Sequence, residues 1–195
     1  MASTSTITPK IEVDEVGLDK HYLTLTECQK PFIHIVKDWI KRPRKLLVVV
    51  SGRPGTGKSY VVKNTFNYIK TLQLRMSFTA RSAASIGGKT IHFTLSLHAS
   101  NEICKELEKK FAEETDLVKT IKQSRKILKE FQCAIYPSVV IADEISMING
   151  WFMYWIIRYF MDRTDIPLIF ICMGDLHQLN PVKSIHNLFS FTFTE

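Results

Sequence analysis

Residues 46–59 read LLVVVSGRPGTGKS, and the rest of the chain can be interpreted outward from this stretch. Its first part is a short apolar run with β-branched residues at its end, which is typical of a buried parallel strand. Its second part fits G-x-x-x-x-G-K-[ST], a turn whose backbone N–H groups and lysine surround phosphates. A helical pattern follows over residues 58–71. This order of strand, phosphate-binding turn and helix predicts a P-loop fold.

Further apolar runs predict the rest of a sheet. Residues 74–79, 139–142 and 167–173 are each typical of a buried strand, and helical patterns at residues 26–40 and 146–162 alternate with them. This alternation predicts an α/β fold in which a parallel sheet is flanked by helices in three layers. The helix at 146–162 is apolar on all sides and is interpreted as a core helix, although its aromatic rings could also stack nucleic-acid bases.

The remaining segments carry weaker patterns. Residues 1–22 are rich in Ser and Thr and then in mixed charges, which predicts a loose leader before one domain over residues 23–195. Residues 101–133 interleave Lys and Glu at helical spacing, as in a solvated helical pair. Residues 189–194 alternate like an edge strand. The expected organisation is therefore a single domain behind a short leader.

Composition limits the classes of protein to consider. The chain has 195 residues with 26 Lys and Arg against 19 Asp and Glu, a net charge of +7 that favours a polyanion such as nucleic acid as partner. Its four cysteines form no C-x-x-C pair, so no zinc site is indicated. There is no apolar run of membrane-spanning length and no signal-peptide core. We expect a soluble intracellular protein, which would be nuclear in a eukaryotic or nuclear-replicating viral source.

The P-loop motif assigns a chemical role to its residues. Its glycines let backbone N–H groups point at phosphate oxygens, and the following helix adds its positive end. Lys58 can contact the β- and γ-phosphates, and Ser59 can offer its hydroxyl to Mg²⁺. The expected nucleotide-binding set is Gly52, Pro54, Gly55, Thr56, Gly57, Lys58 and Ser59.

Two other predicted strands end in polar residues. The run at 139–142 continues into Asp143 and Glu144, and the run at 167–173 is followed by a turn that contains Gln178. Because ligands bind at the carboxyl ends of parallel strands, these residues are expected beside the P-loop. Asp143 would then hold Mg²⁺, Glu144 would polarise the attacking water, and Gln178 would contact the γ-phosphate. The alternatives are ordinary helix-capping acids and a surface glutamine.

Together these segments resemble superfamily 1 DNA helicases of the Pif-like and RecD-like branch. The matching stretches are LTECQ at 25–29, GRPGTGKS at 52–59, TARSAA at 79–84, GGKTIH at 87–92, DEISM at 143–147 and GDLHQLNPV at 174–182. The resemblance spans residues 23–183, looks closest to divergent viral or mobile-element members, and implies the first RecA-like motor domain. It also implies ATP hydrolysis coupled to 5′–3′ movement along DNA.

The resemblance implies roles for five more residues. Gln29 resembles a glutamine that reads adenine and so favours ATP. The family's contacts with single-stranded DNA fall at Thr79, Arg81, Thr90 and His92. Arg81 can neutralise a phosphate, while the hydroxyls and the imidazole can bond the sugar–phosphate chain without reading bases.

A helicase motor of this family has a second RecA-like domain that supplies arginine fingers and half of the DNA track. We expect that these 195 residues lack it and need it in cis or in trans, so that alone they bind Mg-ATP, hydrolyse it slowly and unwind nothing. Two alternatives stay open. One is a P-loop kinase that phosphorylates nucleosides or nucleotides, and the other is a non-catalytic remnant that binds ATP or DNA.

Overall fold

The structure of the chain, a computed structural model, describes residues 10–96, 133, 136–163 and 166–175. The strands within these residues are β1 (Glu12–Val13), β2 (Leu46–Ser51), β3 (Ile69–Lys70), β4 (Gln73–Ser77), β5 (Lys89–Thr90), β6 (Val139–Asp143) and β7 (Ile169–Gly174). The helices are α1 (Glu15–Leu23), α2 (Lys30–Lys41), α3 (Lys58–Asn67), α4 (Ala80–Ser85), α5 (Ile91–Thr94) and α6 (Gly150–Arg163). A 3₁₀ turn, Ile145–Met147, precedes α6.

Five of these strands form one parallel sheet in the order β2-β7-β6-β4-β5. The central strands β6 and β7 are buried at every position, as expected for apolar runs covered on both faces. The register aligns Ser51 with Gly174 and Ser77 with Asp143, so the strands end level with one another at their carboxyl edge. The predicted α/β P-loop fold is confirmed.

Each face of the sheet carries a hydrophobic core, because successive strand residues point to opposite faces. On one face α6 packs onto β6 and β7 through buried residues that include Phe152, Met153, Trp155 and Ile156. On the other face α1, α2 and α3 pack through residues that include Leu18, Phe32, Val36, Trp39, Val61 and Phe66. The interpretation of the aromatic helix as a core helix holds for these described side chains.

The N-terminal segment differs from the sequence-based expectation. β1 pairs antiparallel with β3, and the Asp14 carboxylate caps α1 by accepting a hydrogen bond of 2.9 Å from the Gly17 N–H. Leu18 is fully buried, and an ion pair of 2.5 Å joins Asp19 to Lys37 of α2. A loose leader over residues 1–22 is therefore wrong for residues 10–22. α1 carries no apolar stripe, so periodicity does not reveal it.

Several predicted boundaries shift for local reasons. The helix expected over 58–71 ends at Asn67 because β3 follows immediately and pairs with β1. The helix expected from residue 26 begins at Lys30, because the Gln29 N–H closes a turn on the Thr26 carbonyl at 2.9 Å. The predictions for residues 101–132 and 189–194 lie outside the described residues. Of the helices that are described, none has the length and apolar character needed to cross a bilayer.

Candidate nucleotide-binding site

The P-loop is a tight turn between β2 and α3. Pro54 and Gly55 occupy its corner, where Gly55 has a φ of +77° and the Thr56 N–H donates back to the Arg53 carbonyl at 3.4 Å. Proline followed by a positive-φ glycine is the sequence that a type II turn requires. Gly57 then starts α3 with a φ of +83°, and a Cβ atom built there would lie 2.9 Å from the Gln29 amide nitrogen. A side chain at position 57 would therefore strain the backbone and displace the Gln29 amide.

Lys58 curls into the loop that precedes it. Its Nζ atom donates to the Gly52 carbonyl at 2.6 Å and to the Arg53 carbonyl at 3.1 Å. An ammonium held by neutral carbonyls at the start of a helix can exchange these acceptors for phosphate oxygens, which interact more strongly because they are charged. Its contact with the β- and γ-phosphates stays a prediction.

Ser59 and Asp143 meet across the sheet edge. The Ser59 hydroxyl donates to Oδ2 of Asp143 at 2.9 Å, and Oδ1 of the same carboxylate accepts from the Glu144 N–H at 2.8 Å. Asp143 is 4% exposed, so its charge lies in a poorly solvated place. A hydroxyl and a carboxylate side by side are the oxygen donors that Mg²⁺ prefers. These two residues therefore fit the expected metal.

Glu144 follows Asp143 in a left-handed backbone conformation, with a φ of +57°. Such a conformation is uncommon for a residue with a Cβ atom, and residues that adopt it cluster at functional sites. Burial raises the pKa of the Glu144 carboxyl above its ordinary value, the charge of Asp143 raises it further, Lys58 lowers it, and Asp175 raises it. The carboxyl is therefore close enough to the P-loop lysine to interact with it, and it is more basic than an ordinary carboxylate.

Asp175 is a further acid at this edge that the sequence analysis did not assign. It follows the last residue of β7, is 3% exposed, and is near enough to Glu144 to affect the pKa of that residue. The preceding residue, Gly174, accepts a hydrogen bond of 3.3 Å from the N–H of Gly52 in the P-loop. The signal was available, because this acid directly follows an apolar run. The predicted site residue on the same turn, Gln178, lies outside the described residues.

Gln29 lies against the P-loop rather than apart from it. Its amide nitrogen donates to the Thr56 carbonyl at 2.9 Å, and its amide oxygen accepts from the Thr26 N–H at 3.1 Å. Both ends of the amide therefore bond the protein backbone. Each end keeps the capacity for one further bond, because the amide nitrogen carries two hydrogens and the oxygen two lone pairs, and the adenine-reading role stays a prediction.

The four residues expected to contact DNA lie at the ends of β4 and β5. They are at the carboxyl edge of the sheet, where the P-loop also lies. Thr79 caps α4 by accepting from the Ser82 N–H at 3.2 Å, and Thr90 caps α5 by accepting from the Phe93 N–H at 3.3 Å. Arg81 is exposed. His92 is half-buried between the rings of Phe78 and Phe152, at centroid distances of 6.3 and 6.1 Å.

An exposed aromatic residue beside this group was not singled out from the sequence. Phe93 is 65% exposed, and the Lys89 ammonium lies 4.4 Å from the centroid of its ring. A large exposed ring with a nearby cation is the combination that binds a stacked base and its phosphate. Its position in GGKTIHFT, one residue beyond the matched stretch, explains why the motif did not point to it.

Comparison with known proteins gives this geometry a family. Residues 38–184 match the AAA domain family. The ATP-dependent DNA helicase RRM3 of Saccharomyces cerevisiae is 28% identical over 158 residues, which cover 75% of this chain and 20% of RRM3. The structure of a Pif1 helicase from Bacteroides in complex with ADP-AlF3 and ssDNA is similar at a TM-score of 0.50 and 21% identity, over 80% of this chain and 33% of that one.

Pif1 helicase from Candida albicans matches 80% of this chain and 34% of its own, with a TM-score of 0.44 and 22% identity. This chain therefore spans 20% of the curated relative and about a third of each solved one. The match to residues 38–184, which include the P-loop, Asp143 and Glu144, shows that the chain belongs to the AAA domain family, with the fold of a Pif1-like helicase motor domain.

Proposed function

We propose that this chain is the ATP-hydrolysing unit of a DNA helicase motor, which binds Mg-ATP at the P-loop and single-stranded DNA at the ends of β4 and β5. The observation that carries the proposal is the meeting of Ser59 and Asp143, whose side-chain oxygens lie 2.9 Å apart although 84 residues separate them in the chain. A P-loop needs such a carboxylate to become a hydrolytic site rather than a phosphate-binding turn.

The chemistry follows from the residues around that pair. On ATP binding the Lys58 ammonium would leave the Gly52 and Arg53 carbonyls and bond the β- and γ-phosphates. It would then stabilise the negative charge that develops on the leaving group. Ser59 and Asp143 would hold Mg²⁺, which when bound neutralises charge on the phosphates. Glu144 would orient the attacking water and accept its proton, a role that suits a carboxyl with a raised pKa.

Two residues complete the proposed nucleotide contacts. Gln29, beside Thr56, would read the adenine ring and favour ATP over other nucleotides. Gln178 would contact the γ-phosphate and respond to its loss on hydrolysis. Both roles rest on the resemblance to superfamily 1 helicases together with the position of Gln29 against the P-loop.

A DNA strand would cross the carboxyl edge of the sheet beside the nucleotide. Arg81 is exposed there and can neutralise a phosphate, and Thr79 and Thr90 can donate their hydroxyl hydrogens while their oxygens cap helices. The structure of a Pif1 helicase with this fold contains both ADP-AlF3 and ssDNA, which supports the binding of nucleotide and DNA by one such fold. His92 would contribute less than the resemblance implies, because its ring packs between Phe78 and Phe152.

The proposal includes a second motor domain. Since this chain corresponds to 20% of RRM3, we propose that another RecA-like domain, in cis or in trans, completes the cleft and provides an arginine finger. The complete motor would move 5′–3′ along DNA. The 195 residues alone would bind Mg-ATP, hydrolyse it slowly and unwind nothing.

ATP turnover measured with and without single-stranded DNA tests this function. We expect slow turnover that DNA stimulates in the wild type, that Lys58→Ala abolishes, and that Lys45→Ala leaves unchanged. Lys45 is a suitable control because it is exposed and precedes β2, at the opposite edge of the sheet. Phosphate transfer to a nucleoside that ignores DNA would instead indicate a kinase. Nucleotide binding without turnover that depends on Lys58, even with a second motor domain supplied, would indicate a non-catalytic remnant.

A further inference from the structure

One carboxylate oxygen at the proposed metal site receives two hydroxyl groups. Oδ2 of Asp143 accepts from Ser59 at 2.9 Å and also from Ser82 at 3.3 Å. Ser59 belongs to the P-loop motif, but Ser82 lies in α4, within the segment TARSAA that the proposed function assigns to the DNA strand. Nothing in the nucleotide-binding motifs requires a hydroxyl at position 82.

The segment around Ser82 is joined to Asp143 at two points. The Ser77 hydroxyl, at the end of β4, donates to the backbone carbonyl of Asp143 at 3.1 Å, and the Ser82 hydroxyl reaches its carboxylate. Ser77 is fully buried, so the first attachment is fixed. Between the two attachments lie Thr79 and Arg81, the proposed strand contacts. A shift of this segment toward or away from a bound strand would therefore change the distance between Ser82 and the carboxylate.

The bond between Ser82 and Asp143 can also carry an effect from the nucleotide site to α4. Oδ1 of Asp143 accepts from the Glu144 N–H, and Oδ2 is shared by Ser59 and Ser82, so three donors fix the orientation of the carboxylate. Ligation of a cation by Asp143 and Ser59 would draw on the oxygen that Ser82 bonds. Binding or loss of the cation at the nucleotide site would therefore change the position of α4 through the Ser82 hydroxyl.

We propose that Ser82 is a positioning residue that couples the strand-binding segment to the Asp143 carboxylate, so that the nucleotide and the DNA strand change each other's affinity. The inference rests on the proposed function and adds to it the residue through which the two sites communicate. Coupling between two ligands is reciprocal, and typical values are roughly 5- to 150-fold in affinity. One hydrogen bond of this kind accounts for a factor of about 2 to 10.

Position 82 can be changed without removing the features that hold α4. The N-cap bond to Thr79 comes from the backbone N–H of Ser82, and α4 is anchored by Ala83 and by Ile86 directly after it, which are 2% and 1% exposed. Ser82→Ala therefore removes only the hydroxyl. Ser85→Ala is the matched control, because its hydroxyl bonds the Ser82 carbonyl at 2.7 Å on the same helix and has no bond to Asp143.

The experiment measures the affinity of a fluorescent oligothymidine for the whole chain, with and without Mg-ADP and aluminium fluoride. We expect wild type, Ser85→Ala and Ser82→Thr to bind the oligonucleotide with clearly different affinities in the two conditions. Ser82→Ala should reduce this ratio by about 2- to 10-fold, and the affinity for each ligand alone is measured in parallel. Ser82→Cys keeps a similar side-chain shape, but its thiol is a weak hydrogen-bond donor. It should therefore reduce the ratio as much as Ser82→Ala does.

A ratio for Ser82→Ala and Ser82→Cys equal to that of wild type would overturn the coupling role and leave the proposed function intact. A wild-type chain that binds both ligands without any change in affinity would do the same. If the wild type bound no oligonucleotide in either condition, the proposed function itself would fail, and the inference with it. Circular dichroism of each variant confirms that the comparison is made between folded chains.

Discussion

The carboxyl edge of the sheet has two sides whose polar groups are held in different ways. On the side of β2 and β6, Lys58, Ser59 and Asp143 bond to one another or to the P-loop backbone, and Asp143 is almost completely buried. On the side of β4 and β5, Thr79 and Thr90 serve as helix caps, while Arg81 and Phe93 point into solvent.

This difference indicates what each side can do. Groups that are fixed before the ligand arrives suit chemistry, since a reaction needs its charges placed in advance. Groups held by their own short helices and exposed to solvent suit a polymer that is bound through its backbone and released again. Substitutions on the first side should therefore change rate or fold, and those on the second side should change affinity.

The largest effect is expected at Glu144. Glu144→Gln keeps the shape of the side chain but removes its ability to accept a proton, so turnover of ATP should fall by a factor of roughly 10² to 10⁴. Binding of Mg-ATP should stay within about threefold of wild type, because the phosphate contacts belong to the P-loop. Single-turnover hydrolysis and nucleotide titration measure the two quantities. A variant with near-normal turnover would show that another group activates the water.

The second effect separates the two positive-φ glycines of the P-loop. Gly57→Ala and Gly55→Ala both place a Cβ atom in a left-handed conformation, at a cost of about 1–2 kcal/mol each. At position 57 the new atom also meets the Gln29 amide nitrogen at 2.9 Å, whereas at position 55 it meets nothing within 4 Å. We expect Gly57→Ala to weaken Mg-ATP binding by at least roughly tenfold and Gly55→Ala to weaken it less.

Gly55→Ala is thus the control for backbone strain in this comparison. Equal losses of nucleotide affinity in the two variants would mean that displacing the Gln29 amide from position 57 does not affect the site. Thermal unfolding of both proteins distinguishes loss of the site from loss of the fold.

A smaller effect is expected on the strand side. Arg81→Ala should weaken binding of single-stranded DNA by about 3- to 10-fold and reduce the salt dependence of binding by about one phosphate contact. His92→Ala should instead lower stability, because its ring packs between Phe78 and Phe152. Arg42→Ala is the matched control, since Arg42 is exposed at the opposite edge of the sheet. Affinity measured at several salt concentrations decides whether Arg81 or His92 contacts the strand.

The features that could be predicted from sequence depend on short stretches of chain. The P-loop is a local turn, and Asp143 and Glu144 follow an apolar run directly, so strand ends in a parallel sheet are enough to bring them together. The buried helix α6 was predictable because apolar and aromatic residues occur on every side of the helical pattern. These are cases in which the local pattern and the global fold agree.

Two of the features that were missed depend on contacts between distant residues, whereas Asp175 and Phe93 lie directly beside predicted stretches. The bond between Ser82 and Asp143 joins residues 61 positions apart and needs the register of β4 against β6. α1 was missed because its buried positions, Leu18 and His21, form no stripe, and the helix is placed by the packing of Leu18 against α2 and α3. Such pairings leave no trace in composition or periodicity.

The smallest expected effect concerns the stability of the nucleotide side in the absence of ligand. The pKa of Glu144 is raised by burial and by the charge of Asp143, so its ionised form is less favourable in the folded chain than in the unfolded chain. Well below the ordinary pKa the carboxyl is protonated in both states and costs nothing. As the pH rises the unfolded chain ionises first, so stability falls until the folded carboxyl has also lost its proton.

Glu144→Gln removes this cost, so the variant should unfold at a Tm roughly 1–3 °C above wild type at pH 8, and the two should converge toward pH 4. The effect is small because the carboxyl is only partly buried and water screens its neighbours. Thermal unfolding at both pH values measures it, with Glu12→Gln at an exposed position of β1 as the control. A variant less stable than wild type at pH 8 would mean that the carboxylate is held by favourable contacts. A more stable but inactive variant would mean that Glu144 is kept in a conformation and an environment that oppose its charge because the hydrolysis of ATP requires it there.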